Sequence, residues 1–166
     1  MLEWSRFEAA GQFTLGVVAS DAGIRAIELN GAAELPGREC QSNPLLRQAI
    51  GQLRAYFLGE LRDFDLTMDM QGTQFQKRVW GELLHIPYGQ TRSYSFVANT
   101  IGAPKAVRAV GAANGRNPIP IVVPCHRVIG AGGSLVGYGG GLPLKRFLLD
   151  LEAVSYTHLR KAKHVP

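Results

Sequence analysis

A thiol and an imidazole stand side by side in Pro124-Cys125-His126-Arg127-Val128. A cysteine next to a proton acceptor is a candidate nucleophile, because the thiolate, not the thiol, attacks carbon. An unperturbed thiol titrates near ~8.5, so at neutral pH its proton has to be accepted by another group. Neighbours on an extended strand point to opposite faces, so His126 reaches Cys125 only through a bend or a bridging water. The apolar run Ile119-Pro120-Ile121-Val122-Val123 before the pair reads as a buried extended segment. That setting also suits a plain core cysteine, since free cysteine is among the most buried residue types. The pair alone leaves both readings open.

The elements around the pair narrow the choice. Residues 130–141 hold seven glycines, with Ser134 and Tyr138 among them. This density favours tight turns and close backbone approach to a ligand. The phosphate-loop spacing GxxxxGK[ST] is absent. Before the pair, Thr73 can cap a helix carrying Phe75, Val79, Leu83 and Leu84, and Ser93 can cap a short helix from Tyr94 to Ile101. Gly102-Ala103-Pro104 breaks the chain, and a further helix is expected from Lys105 to about Asn114. Its Ala106, Ala109, Gly111, Ala112 and Ala113 permit close approach to another surface. Two short helices around a glycine-containing turn fit a helix-turn-helix, though many helical hairpins share the pattern. A last helix is expected from Pro143 to about Glu152. A carboxylate at a helix C-terminus is electrostatically disfavoured, which points to another task for Glu152.

The first part has a different texture. Residues 12–19 and 24–30 are β-rich and joined by Ser20-Asp21-Ala22-Gly23, a hairpin signal. Ser42 or Asn43 can cap a helix with Pro44 in its first turn. Residues 63–70 alternate with the period of a half-buried strand. The 166 residues suggest one compact unit or two small ones.

Charge is divided unevenly. Residues 1–70 carry six Lys/Arg against ten Asp/Glu, and residues 71–166 carry twelve against three. The thiol lies in the basic part, which suggests a polyanion partner, nucleic acid first. A solvated basic face is the plainer alternative. No apolar run approaches the roughly 18–20 residues that span a membrane, and no signal-like segment follows Met1. A cytoplasmic protein without a membrane partner is therefore expected. Cys40 lies in a polar segment, and two cysteines in such a chain read as reduced thiols. Neither CxxC nor HxxH spacing occurs, so a metal has little support.

Four segments, GTQFQKRVW, IPYGQTRSY, GAPKAVRAVGAANGRNPIPIVVPCHRVIG and GYGGGLPLKRFLLDLE, resemble the O6-alkylguanine-DNA alkyltransferase family in order and spacing. The resemblance covers about half the chain, from Gly72 to Glu152, and more loosely an α/β domain before it. It implies an α/β N-terminal domain (a small antiparallel sheet plus helix, residues 1–71). A mostly helical, winged helix-turn-helix-like DNA-binding and alkyl-acceptor domain follows (residues 72–152). Residues 153–166 match nothing in the family and read as a disordered basic tail or a cloning or sequence-assembly scar.

The resemblance implies DNA damage reversal by a suicide methyltransferase. A monomer flips O6-alkylguanine, and O4-alkylthymine by extension, out of double-stranded DNA and moves the alkyl group irreversibly to Cys125, without a cofactor. In that reading His126 is the base acting through water, Glu152 orients His126, and Tyr138 assists the leaving base. Arg108 fills the place of the flipped base and Tyr94 acts near the target phosphate. Lys105 and Arg116 are candidate phosphate contacts. Val128 offers a carbonyl to the base, and Gly139 a backbone N–H where some relatives carry serine. Asn117 ties helices to the active-site segment, and Arg127 reads as structural. The zinc ligands of some eukaryotic relatives have no counterpart here. A lesion-binding protein lacking chemistry would not need Cys125. A Cys-His hydrolase would need an oxyanion hole that nothing here specifies.

Overall fold

Residues 1–31 and 34–163 are described by a computed structural model, with the side chains of 154–163 outside that description. Strands β1 (Glu3–Ala9), β2 (Phe13–Ser20) and β3 (Gly23–Glu28) form an antiparallel meander. Strand β4 (Arg38–Glu39) joins β1 in parallel, giving the order β3-β2-β1-β4. The sheet is thus mixed, where the sequence suggested an antiparallel one. The loop returning to β4 passes so close to β1 that a Cβ on Gly37, which has φ +91°, would lie 2.1 Å from the Leu2 carbonyl oxygen. Strand β1 went unread because Glu3, Arg6 and Glu8 mask the alternation that buries Ser5, Phe7 and Ala9.

Helix α1 (Pro44–Phe57) starts where expected. The Asn43 side chain accepts from the Leu45 and Leu46 N–H groups at 2.8 and 3.3 Å, satisfying two donors of the first turn. Leu46, Ala49, Leu53, Tyr56 and Phe57 form its buried stripe. The strand expected over 63–70 is reduced to one parallel bridge, Ile24 with Met68. Alternation reports a half-buried face and not a ladder. The segment is fastened instead by Ile24 N–H to Thr67 O and Asp69 N–H to Ile24 O, both 2.8 Å, and by Ser20 and Arg25 donating to Asp69.

The second half is built on three short helices that pack on one another: α2 (Gln74–Leu83), α3 (Tyr94–Thr100) and α4 (Val107–Gly115). Thr73 and Gln76 form a reciprocal capping box at the start of α2. Ser93 caps α3 through the Phe96 N–H. Helix α4 begins at Val107, two residues later than expected, because Pro104 and Lys105 are used in a turn closed by Ala106 N–H to Ala103 O. Buried Trp80 of α2 donates to the Ala113 carbonyl at 2.8 Å, fixing α4 against the core.

The expected extended segment before Cys125 is a turn. Pro120 bridges to Val123, Val123 N–H donates to Ile119 O at 2.9 Å, and Ile121 adopts φ +73°. A β-branched residue in the left-handed region is strained, and buried packing on both sides holds it there. Strand β6 (Val128–Ile129) then pairs in parallel with β5 (Arg92–Ser93), tying the segment to the start of α3.

Helix α5 spans Leu142–Lys163, longer than the expected end near Glu152. Glu152 is therefore inside the helix, away from the unfavourable dipole of its C-terminus. The expected tail falls mainly on the undescribed side chains of 154–163 and on residues 164–166, which lie outside the described residues. Phe147 of α5 meets Phe13 and Phe57 with ring centroids 5.3 and 5.9 Å apart, and Ile27 N–H donates to Pro118 O at 2.9 Å. The two halves thus share a continuous core. Among the described residues, no helix is long and apolar enough to cross a membrane.

Candidate active site

Cys125, His126 and Arg127 form a single 3-10 turn after Pro124. Cys125 N–H donates to Val123 O at 2.8 Å and Arg127 N–H to Pro124 O at 3.0 Å. This turn supplies the bend that an extended strand would have denied to neighbouring side chains. All three residues are buried. Two asparagines hold the turn from the helix side. Asn117 donates to Val123 O at 2.8 Å and accepts from Ile119 N–H, while Asn114, in the last turn of α4, donates to Cys125 O at 3.3 Å. Asn114 gave no sequence signal beyond an amide at the end of an Ala/Gly-rich helix.

Burial pushes the Cys125 thiol above its ordinary range, while the Asn117 side chain, the Lys145 ammonium and the Tyr138 hydroxyl pull it back. His126 is lowered by burial, against the raising effect of Glu152, so its imidazole is neutral at pH 7. Its Nε2 lies 2.6 Å from Glu152 Oε2. An ionised carboxylate only accepts, so Nε2 carries the proton and Nδ1 presents a lone pair. Nδ1 is buried and has no hydrogen-bond partner among the described protein groups.

Glu152 is the hub of the site. Besides His126 it accepts from Tyr56 Oη at 2.5 Å, Arg127 Nε and Nη2 at 2.9 and 3.1 Å, and Gly89 N–H at 3.2 Å. Arg127 also donates to Ile86 O at 2.7 Å. The arginine thus bonds a backbone carbonyl and is in addition the counter-ion of the relay. Burial alone would raise the Glu152 carboxyl, but His126 and Arg127 outweigh it and hold it at about 2. Tyr56 is a first-half residue reaching into this centre. Burial first, and then the adjacent carboxylate, keep its phenol protonated well above the usual range. From sequence Tyr56 is indistinguishable from a core aromatic on the stripe of α1.

The site makes the fold acid-sensitive. Glu152 titrates at about 2 against an ordinary 4.5, so its stabilisation is complete above pH 4.5 and lost as pH falls through about 2. His126, lowered from an ordinary 6.5, resists charging, so its contribution also declines as the pH drops below that value. Thermal melts at decreasing pH should show a falling midpoint below about pH 6. An unchanged midpoint down to pH 3 would contradict the buried relay.

The glycine loop closes over the thiol. The Tyr138 hydroxyl is buried near Cys125 without a hydrogen bond of normal geometry; burial and the thiol together raise its titration well above the usual range. A Cβ on Gly140 would come within 2.9 Å of Leu29, so the loop is seated on the first half, whereas a Cβ on Gly139 would meet open space. Lys145 is fully buried and donates to Val128 O and Val136 O at 2.9 and 3.0 Å, joining β6 to the loop. The Val128 carbonyl proposed for base reading therefore already holds one donor. The spacing Lys145, Leu148, Glu152 lies on one helical face, a signal for Lys145 that the surrounding Leu pattern concealed. Tyr94 is half-buried beside Asn114 and Cys125 and packs over Gly111. Arg108, Ala109, Ala112, Gly115 and Arg116 are exposed along α4, and Lys105 is exposed just before it. Basic groups therefore border an open face of small residues, and none of these three cations touches the thiol centre. Among the described residues, no His/Cys/Asp/Glu group is placed to hold a metal.

Residues 74–154 match the profile described as 6-O-methylguanine DNA methyltransferase, DNA binding domain, and residues 12–70 match its ribonuclease-like domain. The chain belongs to the 6-O-methylguanine DNA methyltransferase family. A methylated-DNA–protein-cysteine methyltransferase of Mycobacterium bovis is 65% identical over 104 residues, 63% of this chain and 63% of the relative. The chain thus spans somewhat under two thirds of that relative's length. The Methanosarcina acetivorans protein of the same name is 56% identical over 119 residues, covering 72% of this chain and 76% of its own. The fold is similar to Mycobacterium tuberculosis OGT solved in complex with DNA, with TM-score 0.84 and 45% identity over 92% of this chain and 94% of that one. In this family member β2, β3, β4 and α1 fall within the residues matched to the ribonuclease-like domain, and the thiol turn within those matched to the DNA-binding domain.

Proposed function

We propose that this protein repairs O6-alkylguanine in duplex DNA by moving the alkyl group to Sγ of Cys125, once per molecule. The observation that carries the reading is the buried thiol turn whose imidazole, His126, lies 2.6 Å from Glu152. The DNA complex of the similar mycobacterial protein supports the partner.

In this reading the Cys125 proton passes through a bridging water to His126 Nδ1. The sulfur attacks the alkyl carbon and the carbon–O6 bond breaks, leaving its electron pair on the guanine. Tyr138 donates toward that developing charge, with the Gly139 N–H beside it. The released guanine takes a proton from water at its ring nitrogen, the His126 imidazolium returns its proton to water, and Cys125 ends as a thioether. Glu152 and Arg127 stay charged and paired throughout, holding His126 in the required tautomer.

Arg108 enters the duplex in place of the extruded base, Tyr94 acts at the neighbouring phosphate, and Lys105 and Arg116 contact the backbone. The exposed small residues of α4 allow that close approach. The working division is 1–71, 72–152 and 153–166, and the protein acts as a cytoplasmic monomer. Quantifying restored guanine tests the reading. With lesion in excess, repair should stop at one equivalent per protein and be absent in Cys125→Ser. Continued turnover would point to a hydrolytic Cys-His enzyme instead.

A further inference from the structure

Tyr56 stands on the buried stripe of α1, where a phenylalanine would fill the same space. Its ring is held by edge contacts with Phe57 and Tyr88, centroids 5.7 and 6.2 Å away, and by a tilted contact with Phe64 at 5.4 Å, so the direction of its hydroxyl is fixed. That hydroxyl crosses from the first half to donate to Glu152 Oε2 at 2.5 Å, the short end of the range for an O–H donor on a carboxylate. Satisfying the carboxylate does not require it. An ionised carboxylate offers about four acceptor sites. Four other donors already reach this one: Arg127 Nε and Gly89 N–H at Oε1, and His126 Nε2 and Arg127 Nη2 at Oε2. Tyr56 is a fifth donor, added to the oxygen that faces His126.

Two short bonds thus draw on one oxygen, 2.5 Å from Tyr56 and 2.6 Å from His126. Tyr56, His126 and Glu152 are each no more than 1% exposed, so bulk water does not stand in for either donor. When the imidazole takes up the thiol proton it becomes an imidazolium, and its Nε2 proton lies between two bases, the ring and the carboxylate. Each further donor on Oε2 weakens the pull of that oxygen on the Nε2 proton. Removing the phenol O–H therefore strengthens the hold of Glu152 on the imidazolium and favours the charged ring.

We propose that Tyr56 is a positioning residue of alkyl transfer: its hydroxyl, donated to the oxygen that holds His126, keeps the ring uncharged and able to accept the thiol proton. The role rests on the alkyl-transfer reading, so it is tested first on the free protein, where the two can fail separately. Besides Cys125, the groups facing the relay are Glu152, Arg127, Lys145, Tyr88 and Tyr138, and all of them are kept in the variants. The His126 ring nitrogens are followed by NMR during a pH titration of the full chain. Tyr56→Phe should raise the His126 midpoint by about one pH unit, the effect of losing one charge-assisted bond. A 3-fluorotyrosine in place of Tyr56 keeps the ring and is a stronger donor, so it should lower the midpoint. The acid limb of single-turnover transfer from free alkylated base should move in the same two directions. A core aromatic with no part in the reaction would alter the melting temperature alone. If Tyr56→Phe does not fold, the fluorinated form decides by itself. An unchanged midpoint, or shifts in the same direction for both replacements, would overturn the proposal. A parent protein that transfers no alkyl group would instead sink the reading on which the proposal rests.

Discussion

Glu152→Gln should cost about 3–5 kcal/mol of stability, the range for breaking a buried ion pair by removing one partner. For a chain of this size that lowers the thermal midpoint by roughly 10 °C. The carboxylate is 1% exposed and takes donors from Tyr56, Gly89, His126 and Arg127. A carboxamide keeps the shape but leaves the Arg127 guanidinium buried without its counter-charge. Its NH₂ group also faces donors, so at least one contact becomes donor against donor. Alkyl transfer should fall by about 10²-fold or more, the usual contribution of a positioned base, because His126 loses the bond that fixes its tautomer. The rate has to be read well below the variant's own melting temperature. A variant that melts early yet reacts at the parent's rate would reduce Glu152 to a structural anchor.

Arg108→Ala should separate chemistry from base extrusion. Arg108 is exposed on α4 and touches nothing in the thiol centre, so stability should change by no more than about 0.5 kcal/mol. Extruding a stacked base costs a few kcal/mol. If Arg108 stabilises the extruded state by about 2 kcal/mol of that, transfer from duplex DNA slows about 30-fold. Reaction with free alkylated base should be unchanged. The duplex effect should be measured at fixed salt, since removing a cation also weakens phosphate attraction. Equal slowing on both substrates would remove Arg108 from the extrusion step and place its effect on the thiol.

The parts of this protein that were legible in its sequence are those with local causes. Asn43, Thr73 and Ser93 announce α1, α2 and α3 because a capping side chain bonds N–H groups only two or three residues away. The Cys125–His126 pair is visible because its members are adjacent. Glu152 was reached through resemblance, and its actual partners Tyr56 and Arg127 were not, since the Tyr56 bond spans 96 residues. No helical or strand periodicity reports a hydroxyl meeting a carboxylate at that separation. The turn at Ile121 reads as a strand from sequence for a related reason. Its side chains are apolar and buried, and a positive φ at isoleucine runs against local preference, so packing alone imposes it. Lys145 was concealed because a lysine among leucines on a helix ordinarily extends its charge to solvent. Here it is buried, with two backbone carbonyls as acceptors.

The most direct test of the account is the intact mass of the protein after incubation with duplex DNA carrying one O6-methylguanine. The account predicts one added CH₂ per molecule, localised by peptide mapping to Cys125, with Cys40 unmodified and no addition in Cys125→Ser. Unmodified protein alongside repaired guanine, or a methyl group on any other residue, would contradict it.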